Sequence, residues 1–224
     1  MRKKILIVGG NSNFGRTFKK IANKTFNIYE TYSKISKKRN SYTLDLNNED
    51  SILSFSKNLK NKKFNYLIFC PGILLGKKIS EYSFDEIKKI NNINYLGISK
   101  LISKIINKNL NSKCVIIFIS SISGRRGSFD HFYAGAKAGL MTFAKSMSKY
   151  YGNKLRVNIV APSVMYKTKM YKQFSKQNIK KIKNETPNNQ ILLTSDLVKI
   201  ILDIMQRHWD HSNGSVIVIN GGIF

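Results

Sequence analysis

Short, unbroken apolar runs recur along this chain, at Ile5-Leu6-Ile7-Val8, at residues 66–70 and 115–119, and at Val216-Ile217-Val218-Ile219. A strand with one wet face alternates apolar and polar residues, so a run that is apolar at every position belongs to a strand covered on both faces. Segments between the runs repeat at helical spacing: Phe14, Phe18, Ile21 and Ala22; Ile52, Phe55, Ser56 and Leu59 within 49–60; Phe84, Ile87, Ile90, Ile93, Leu101 and Ile105 within 84–109. Strands alternating with helices in this way form an α/β structure, a doubly wound parallel sheet with helices on both faces and a ligand crevice at the carboxyl ends of the strands. At 224 residues and 42% apolar content, residues 1–224 are expected to form a single domain.

The first run ends in Gly9-Gly10-Asn11-Ser12-Asn13-Phe14-Gly15, and a helical pattern follows. Strand, glycine-rich turn and helix make a dinucleotide-phosphate site: the turn lets backbone N–H groups approach a pyrophosphate, and the helix N-terminus adds the positive end of its dipole. Asn13 stands between Gly9 and Gly15, and asparagine tolerates left-handed backbone better than most residues with a side chain. Taken alone the stretch also reads as a tight turn. Residues 27–32 read as the second strand and 42–45 as the third, which puts Ser33 and Lys34 at the end of the second. An acid at this place binds a ribose 2′-hydroxyl, whereas Ser and Lys accept a 2′-phosphate, so NADP is favoured over NAD. Glu30, two positions before Tyr32, is expected to fall short of the ribose, and Lys34, Lys37, Lys38 and Arg39 also read as a solvated basic loop.

The run at 115–119 ends in Ser120-Ser121-Ile122-Ser123-Gly124, and Tyr133-x-x-x-Lys137 then opens a helical pattern rich in Ala and Gly. Residues four apart share a helix face. A free tyrosine, with a pKa of about 10, is a poor acid–base catalyst at neutral pH and needs a nearby ammonium to favour its phenolate. Lys137 is placed to supply it. In a chain rich in both residue types, the bland reading of the same spacing is a solvated helix face.

Residues 114–144, CVIIFISSISGRRGSFDHFYAGAKAGLMTFA, resemble the strand, catalytic serine, loop and Tyr-x-x-x-Lys helix of the short-chain dehydrogenase/reductase family, and are especially similar to its ketoacyl-carrier-protein-reductase-like members. Further motifs of that family follow in order over essentially the whole chain. The resemblance implies a Rossmann fold, a nicotinamide cofactor, and interconversion of a carbonyl and an alcohol. It implies that Tyr133 is the general acid, that Ser121 bonds the carbonyl oxygen, and that Lys137 lowers the tyrosine pKa and holds the nicotinamide ribose. Asn94, in Asn94-Tyr95-Leu96-Gly97, would kink its helix and order a proton-relay water. Cofactor contacts fall on Gly9, Asn11, Ser12, Asn13, Phe14 and Gly15, on Asp45-Leu46 at the adenine, on Cys70-Pro71-Gly72, on Pro162, and on Thr168 at the nicotinamide carboxamide, besides Ser33, Lys34, Tyr133 and Lys137.

The chain departs from the family pattern at Asn13 (usually Gly), at Phe69 and Cys70 (usually Asn), at Ser163 (usually Gly), and in a Thr168 one residue farther from Pro162. The loop from Ser121 to Tyr133 is one residue short, which leaves Ser120 and Ser123 as alternatives to Ser121. Residues 165–190 are expected to be a substrate-covering helix pair. A carrier-protein-bound 3-ketoacyl chain suits the family resemblance and the basic charge, whereas a nucleotide-sugar or other small ketone suits the short 165–190 segment. A homodimer or homotetramer would use the Asn94 and Tyr133 helices, the latter carrying Gly135 and Gly139 for close packing. A non-catalytic dinucleotide-binding regulator is the competing class.

Thirty-nine Lys and Arg against twelve Asp and Glu give a formal charge of +27, but the basic residues are spread from end to end and no nucleic-acid recognition motif accompanies them, so the charge reads as compositional rather than as a nucleic-acid surface. Cys70 and Cys114 lie in apolar runs without metal or disulfide spacing. His208-Trp209-Asp210-His211 lacks a distant ligand, so no metal is expected. The N-terminal apolar run stops after four residues, and the protein is expected to be cytoplasmic and not membrane-bound.

Overall fold

Alternate side chains of the first strand, β1 (Lys4–Val8), enter two different cores. Ile5 and Ile7 join Phe14, Phe18, Leu197 and Ile201 on one side, while Leu6 and Val8 join Phe55, Leu101, Leu140 and Ala144 on the other. Ile5 to Val8 are all buried, which is why that run carries no polar position. The computed structural model describes residues 2–36 and 39–223, so the expectation for Lys37 and Lys38 lies outside the described residues.

After β1 the chain continues through α1 (Asn13–Ala22), β2 (Asn27–Tyr32), β3 (Ser41–Thr43), α2 (Glu49–Asn58), β4 (Phe64–Phe69), α3 (Phe84–Asn91), α4 (Gly97–Ile105) and β5 (Leu110–Ile119). It ends with α5 (Ser123–Arg126), α6 (His131–Tyr151), β6 (Leu155–Pro162), α7 (Lys176–Glu185), α8 (Thr194–Ile204) and β7 (Val216–Ile219). The sheet has seven strands in the order β3-β2-β1-β4-β5-β6-β7. Every neighbouring pair is parallel. This is the doubly wound Rossmann arrangement: strand order reverses between β1 and β4, and α1 and α8 cover the face opposite to α2, α4 and α6.

The helix expected over 84–109 is not one continuous element. A π-helical turn, Asn92–Leu96, separates α3 from α4, and α4 ends at Ile105. Phe84, expected on the apolar stripe, is 84% exposed because it stands at the first position of α3, inside the Ser83–Glu86 capping box. Ile21 is likewise exposed. The third strand is shorter than expected and leaves Leu44 and Asp45 in the loop after it. Helix α8 starts at Thr194 with Leu193, not a polar residue, at its cap.

Strand β6 carries Arg156 and Asn158 in a buried run, and both serve backbone. Arg156 donates to Ile204 O at 2.7 Å and Gln206 O at 3.0 Å, closing the end of α8, and Asn158 donates to Ser212 O at 2.6 Å. Beyond β6 the chain makes a long excursion that closes at its base, where Met165 pairs with Leu192 and Tyr166 N donates to Leu192 O at 2.8 Å. In place of the helix pair expected there, that excursion holds one α-helix, α7, and a 3₁₀ turn at Tyr171–Gln173, and α7 has no buried side chain.

Candidate active site

Helix α6 is started by Asp130, whose carboxylate accepts the Tyr133 N–H at 3.0 Å. Its second oxygen accepts the N–H groups of Leu75 (2.9 Å) and Gly76 (3.1 Å), and the side chain has no exposed surface. One buried carboxylate thus fixes the loop after β4 to the first turn of the helix that carries Tyr133. Asp130→Ala leaves three backbone donors without a charged acceptor, and a loss of about 3 kcal/mol is expected, at about 1 kcal/mol each. Urea unfolding should show the loss as a lower midpoint at unchanged m-value.

Tyr133 and Lys137, one helical turn apart, are both buried, with the Lys137 Nζ 5.8 Å from the centre of the tyrosine ring. Burial pushes the phenol up to about 12, and the hydrogen bond from Ser121 pulls against that shift. Burial also pushes Lys137 down to about 8. Its ammonium donates to Pro71 O at 3.1 Å and Ile119 O at 3.2 Å, which engages two of its three N–H groups. The serines at the end of β5 separate by geometry. Ser120 donates to the Lys137 carbonyl at 2.9 Å and serves the helix backbone, whereas Ser121 faces the Tyr133 phenol and accepts the Ser123 N–H at 3.1 Å.

Asn94 sits in the π-helical turn and is fully buried. Its amide donates to Ile73 O and Ile90 O, each at 2.9 Å, and its oxygen accepts the Ile73 N–H at 3.2 Å. The side chain thus braces the loop after β4, beside Gly72. Such turns insert one residue into a helix and re-aim its side chains.

At the reversal point, Gly9 has a φ of +91°, and its N–H and that of Gly10 bond the side chain and carbonyl of Thr31. A Cβ on Gly15 would lie 2.6 Å from the Gly10 carbonyl oxygen, so α1 packs directly on the turn. Gly10, which the sequence reading did not single out, is the residue under which Glu30 passes. Ser12 caps α1 by accepting the Gly15 N–H at 3.0 Å and lies 3.4 Å from the Cys70 Sγ across the turn. The Cys70 thiol, pushed up to about 12 by burial, stays neutral there. Phe14 is buried in the core, Asn11 is exposed and accepts from Arg16 at 3.3 Å, and Asn13 reaches across to donate to the Lys167 carbonyl at 3.1 Å.

Ser33 and Lys34 follow directly on β2 and are exposed. Glu30 is buried, paired with Lys19 at 2.7 Å and bonded by the Tyr32 hydroxyl at 3.0 Å. The Asp45 carboxylate accepts the Asn47 N–H at 2.9 Å, as a turn aspartate does, and the Leu46 carbonyl packs where Gly97 has no side chain. Thr168 is buried in a turn, donating to Met165 O at 3.0 Å and accepting the Tyr171 N–H at 3.1 Å.

A cleft of about 840 Å³ runs from Ser12 and Asn13 past Cys70, Gly72, Ser121, Tyr133, Lys137, Pro162 and Thr168. Gly9, Asn11 and Gly15 of the turn are outside its lining, as are Ser33, Lys34, Asp45 and Leu46, which follow β2 and β3. A glycine turn stripped of side chains, a helix N-terminus beyond it and a cleft continuing to a Ser–Tyr–Lys group fit an extended dinucleotide. Among the described residues no group of His, Cys, Asp and Glu is arranged to hold a metal, and no helix is long and apolar enough to cross a membrane. His208 and Trp209 both bond the exposed Asp203 carboxylate.

A family model described as enoyl-(acyl carrier protein) reductase matches residues 20–223. A 3-oxoacyl-(acyl-carrier-protein) reductase of Buchnera aphidicola is 25% identical, with 100% of this chain and 98% of that protein covered. Another, of Chlamydia trachomatis, is 31% identical over 159 residues, which is 68% of this chain and 62% of that protein, less than two thirds of its length. Among solved structures, a short chain dehydrogenase family protein of Francisella tularensis superposes with a TM-score of 0.90 at 21% identity, covering 100% of this chain and 99% of that one. A 4-hydroxyisoleucine dehydrogenase complexed with NADH superposes at 0.88 and 23% identity, covering 99% and 98%. The match to the family model extends over nearly the whole sheet and the Ser121–Tyr133–Lys137 cleft, and the chain belongs to the short-chain dehydrogenase/reductase family of oxidoreductases.

Proposed function

We infer that this protein is an NADPH-dependent reductase that interconverts a carbonyl and a secondary alcohol on a 3-ketoacyl-type substrate. The observation that carries the reading is the meeting of Ser121, Tyr133 and Lys137 in one cleft that continues to the glycine-rich turn. A nicotinamide cofactor held along this cleft would supply or accept the hydride. Tyr133 delivers the proton to the carbonyl oxygen in reduction, and Ser121 bonds that oxygen and holds it against the phenol. Lys137 keeps one N–H for the cleft, where it holds a ribose hydroxyl and helps return the proton to Tyr133. Asn94 works through the loop it braces, which carries Pro71 and Gly72.

Three features support a 3-ketoacyl substrate: the names of the relatives above, an apolar cleft wall that includes Leu74, Ile122 and Met170, and Arg126, Lys169 and Lys181 along the same lining. A carrier protein bearing the acyl chain is the proposed partner, and residues 165–190 form the cover. Assembly as a homodimer or homotetramer uses the faces of the π-turn helix and α6. Leu96 is exposed there, and a Cβ on Gly135 would meet nothing within 4 Å in the protomer. Reduction of 3-ketoacyl thioesters, followed as loss of NADPH absorbance, tests the reading, and no turnover across such thioesters would refute it.

Preference for NADPH rests on Ser33 and Lys34 beyond β2 and on Glu30 being occupied by Lys19 and Tyr32. NADPH should bind more tightly than NADH, and the gap should narrow in high salt because an exposed ion pair is screened. Lys34→Asp should reverse the order by replacing attraction with repulsion. Fluorescence titration of both cofactors measures this, and an unchanged affinity ratio in Lys34→Asp would remove Lys34 from the site.

A further inference from the structure

We propose that Phe129 and Phe174 form an aromatic portal at the distal end of the cleft, and that this pair selects substrates with an apolar chain beyond the reacting carbonyl. The inference rests on the carbonyl-reductase reading of the same cleft and adds what lies past the reacting carbon. The two rings come from opposite walls. Phe129 stands in the turn between α5 and the Asp130 cap, and Phe174 lies in the covering excursion just before α7. Their centroids are 5.9 Å apart with the planes at 81°, an edge-to-face contact between segments distant in sequence. Both line the cleft that Ser121 and Tyr133 line.

Phe129 is 53% exposed, an unusual position for a phenylalanine that has core available nearby. Its place is fixed all the same: the next residue is the buried Asp130, and a Cβ on Gly76 would come within 3.1 Å of its ring. Phe174 is the opposite case, carried on an excursion whose helix buries no side chain. One ring is held beside the Asp130 cap and the other is carried by the cover, so the pair joins two segments distant in sequence at the cleft. Leu74, Ile122 and Met170 line the same cleft, where an apolar chain gains by leaving water and a polar one would leave its groups unpaired.

The test uses the full chain with NADPH and N-acetylcysteamine thioesters running from 3-ketobutanoyl to 3-ketodecanoyl. In the unsubstituted protein kcat/KM should rise about two- to fourfold per added methylene once the chain reaches the rings. Phe129→Ala and Phe174→Ala should flatten that rise, lowering the longest member about tenfold while the shortest stays within about twofold. Phe174→Trp, which narrows the portal without emptying it, should penalise only the long members. Equal effects on all chain lengths, or none, in every variant would overturn the portal. If the unsubstituted protein turns over no thioester, the reductase reading fails separately. The portal is then decided by calorimetric binding of the same series: steeper affinity with length that Phe174→Ala abolishes supports it, and a flat series overturns it.

Discussion

Tyr133→Phe should lower turnover by about a thousandfold while the dissociation constant for NADPH stays within about twofold. The substitution keeps the ring in the cluster it shares with Leu74, Tyr82 and Ile90, so packing and the cleft wall survive. Only the phenolic proton and its hydrogen bond with Ser121 are lost. Steady-state turnover alongside a cofactor titration separates the two quantities. Residual turnover within about tenfold of the unsubstituted protein would mean that another group delivers the proton.

Lys137→Ala should damage both quantities, because one ammonium faces the cleft and also satisfies the buried carbonyls of Pro71 and Ile119. Turnover should fall about a hundredfold or more and NADPH affinity about tenfold, and intact cofactor binding would show that the lysine does not hold the ribose. The unsubstituted protein should carry a matching pH signature. Burial lowers Lys137 to about 8, so the cationic form is present below that pH, and reductive kcat/KM of the free enzyme should decline as pH rises through about 8. Stability runs the other way. The group gives up its proton at lower pH folded than unfolded, so between about 8 and the ordinary lysine value of 10.5 the unfolded chain binds more protons and stability rises with pH. Thermal unfolding across that window, compared with Lys137→Ala, isolates this contribution.

The sheet was legible because burial on both faces leaves a direct trace in composition: β1 and β4 are apolar at nearly every position, and their order with the intervening helices dictates the topology. Tyr133 and Lys137 were legible because helical spacing is a local property. What escaped depends on contacts between distant segments. Nothing around Asp130 announces that it will take the Leu75 and Gly76 N–H groups as well as cap its own helix. The apolar spacing from Phe84 to Ile105 reads as one helix because a single inserted residue at Asn92–Leu96 shifts the phase too little to break a pattern of interrupted apolar positions. The motif order favours Ser121 over Ser120 in the sequence, but which hydroxyl bonds the Lys137 carbonyl and which faces Tyr133 depends on strand pleat, which two adjacent identical residues do not reveal.

The pairing of Met165 with Leu192 makes the long excursion after β6 a cassette. Its two ends are fastened side by side at the sheet, and the helix it carries buries no side chain in either core. Insertions, deletions and exchange within α7 therefore alter loop-closure entropy only slowly, whereas Lys167, Thr186 and Pro187 tie the two arms of the excursion to the frame. A lineage can rewrite what this scaffold accepts without renegotiating how it folds. Chimeras that graft α7 from another member of the family are the natural units of recombination.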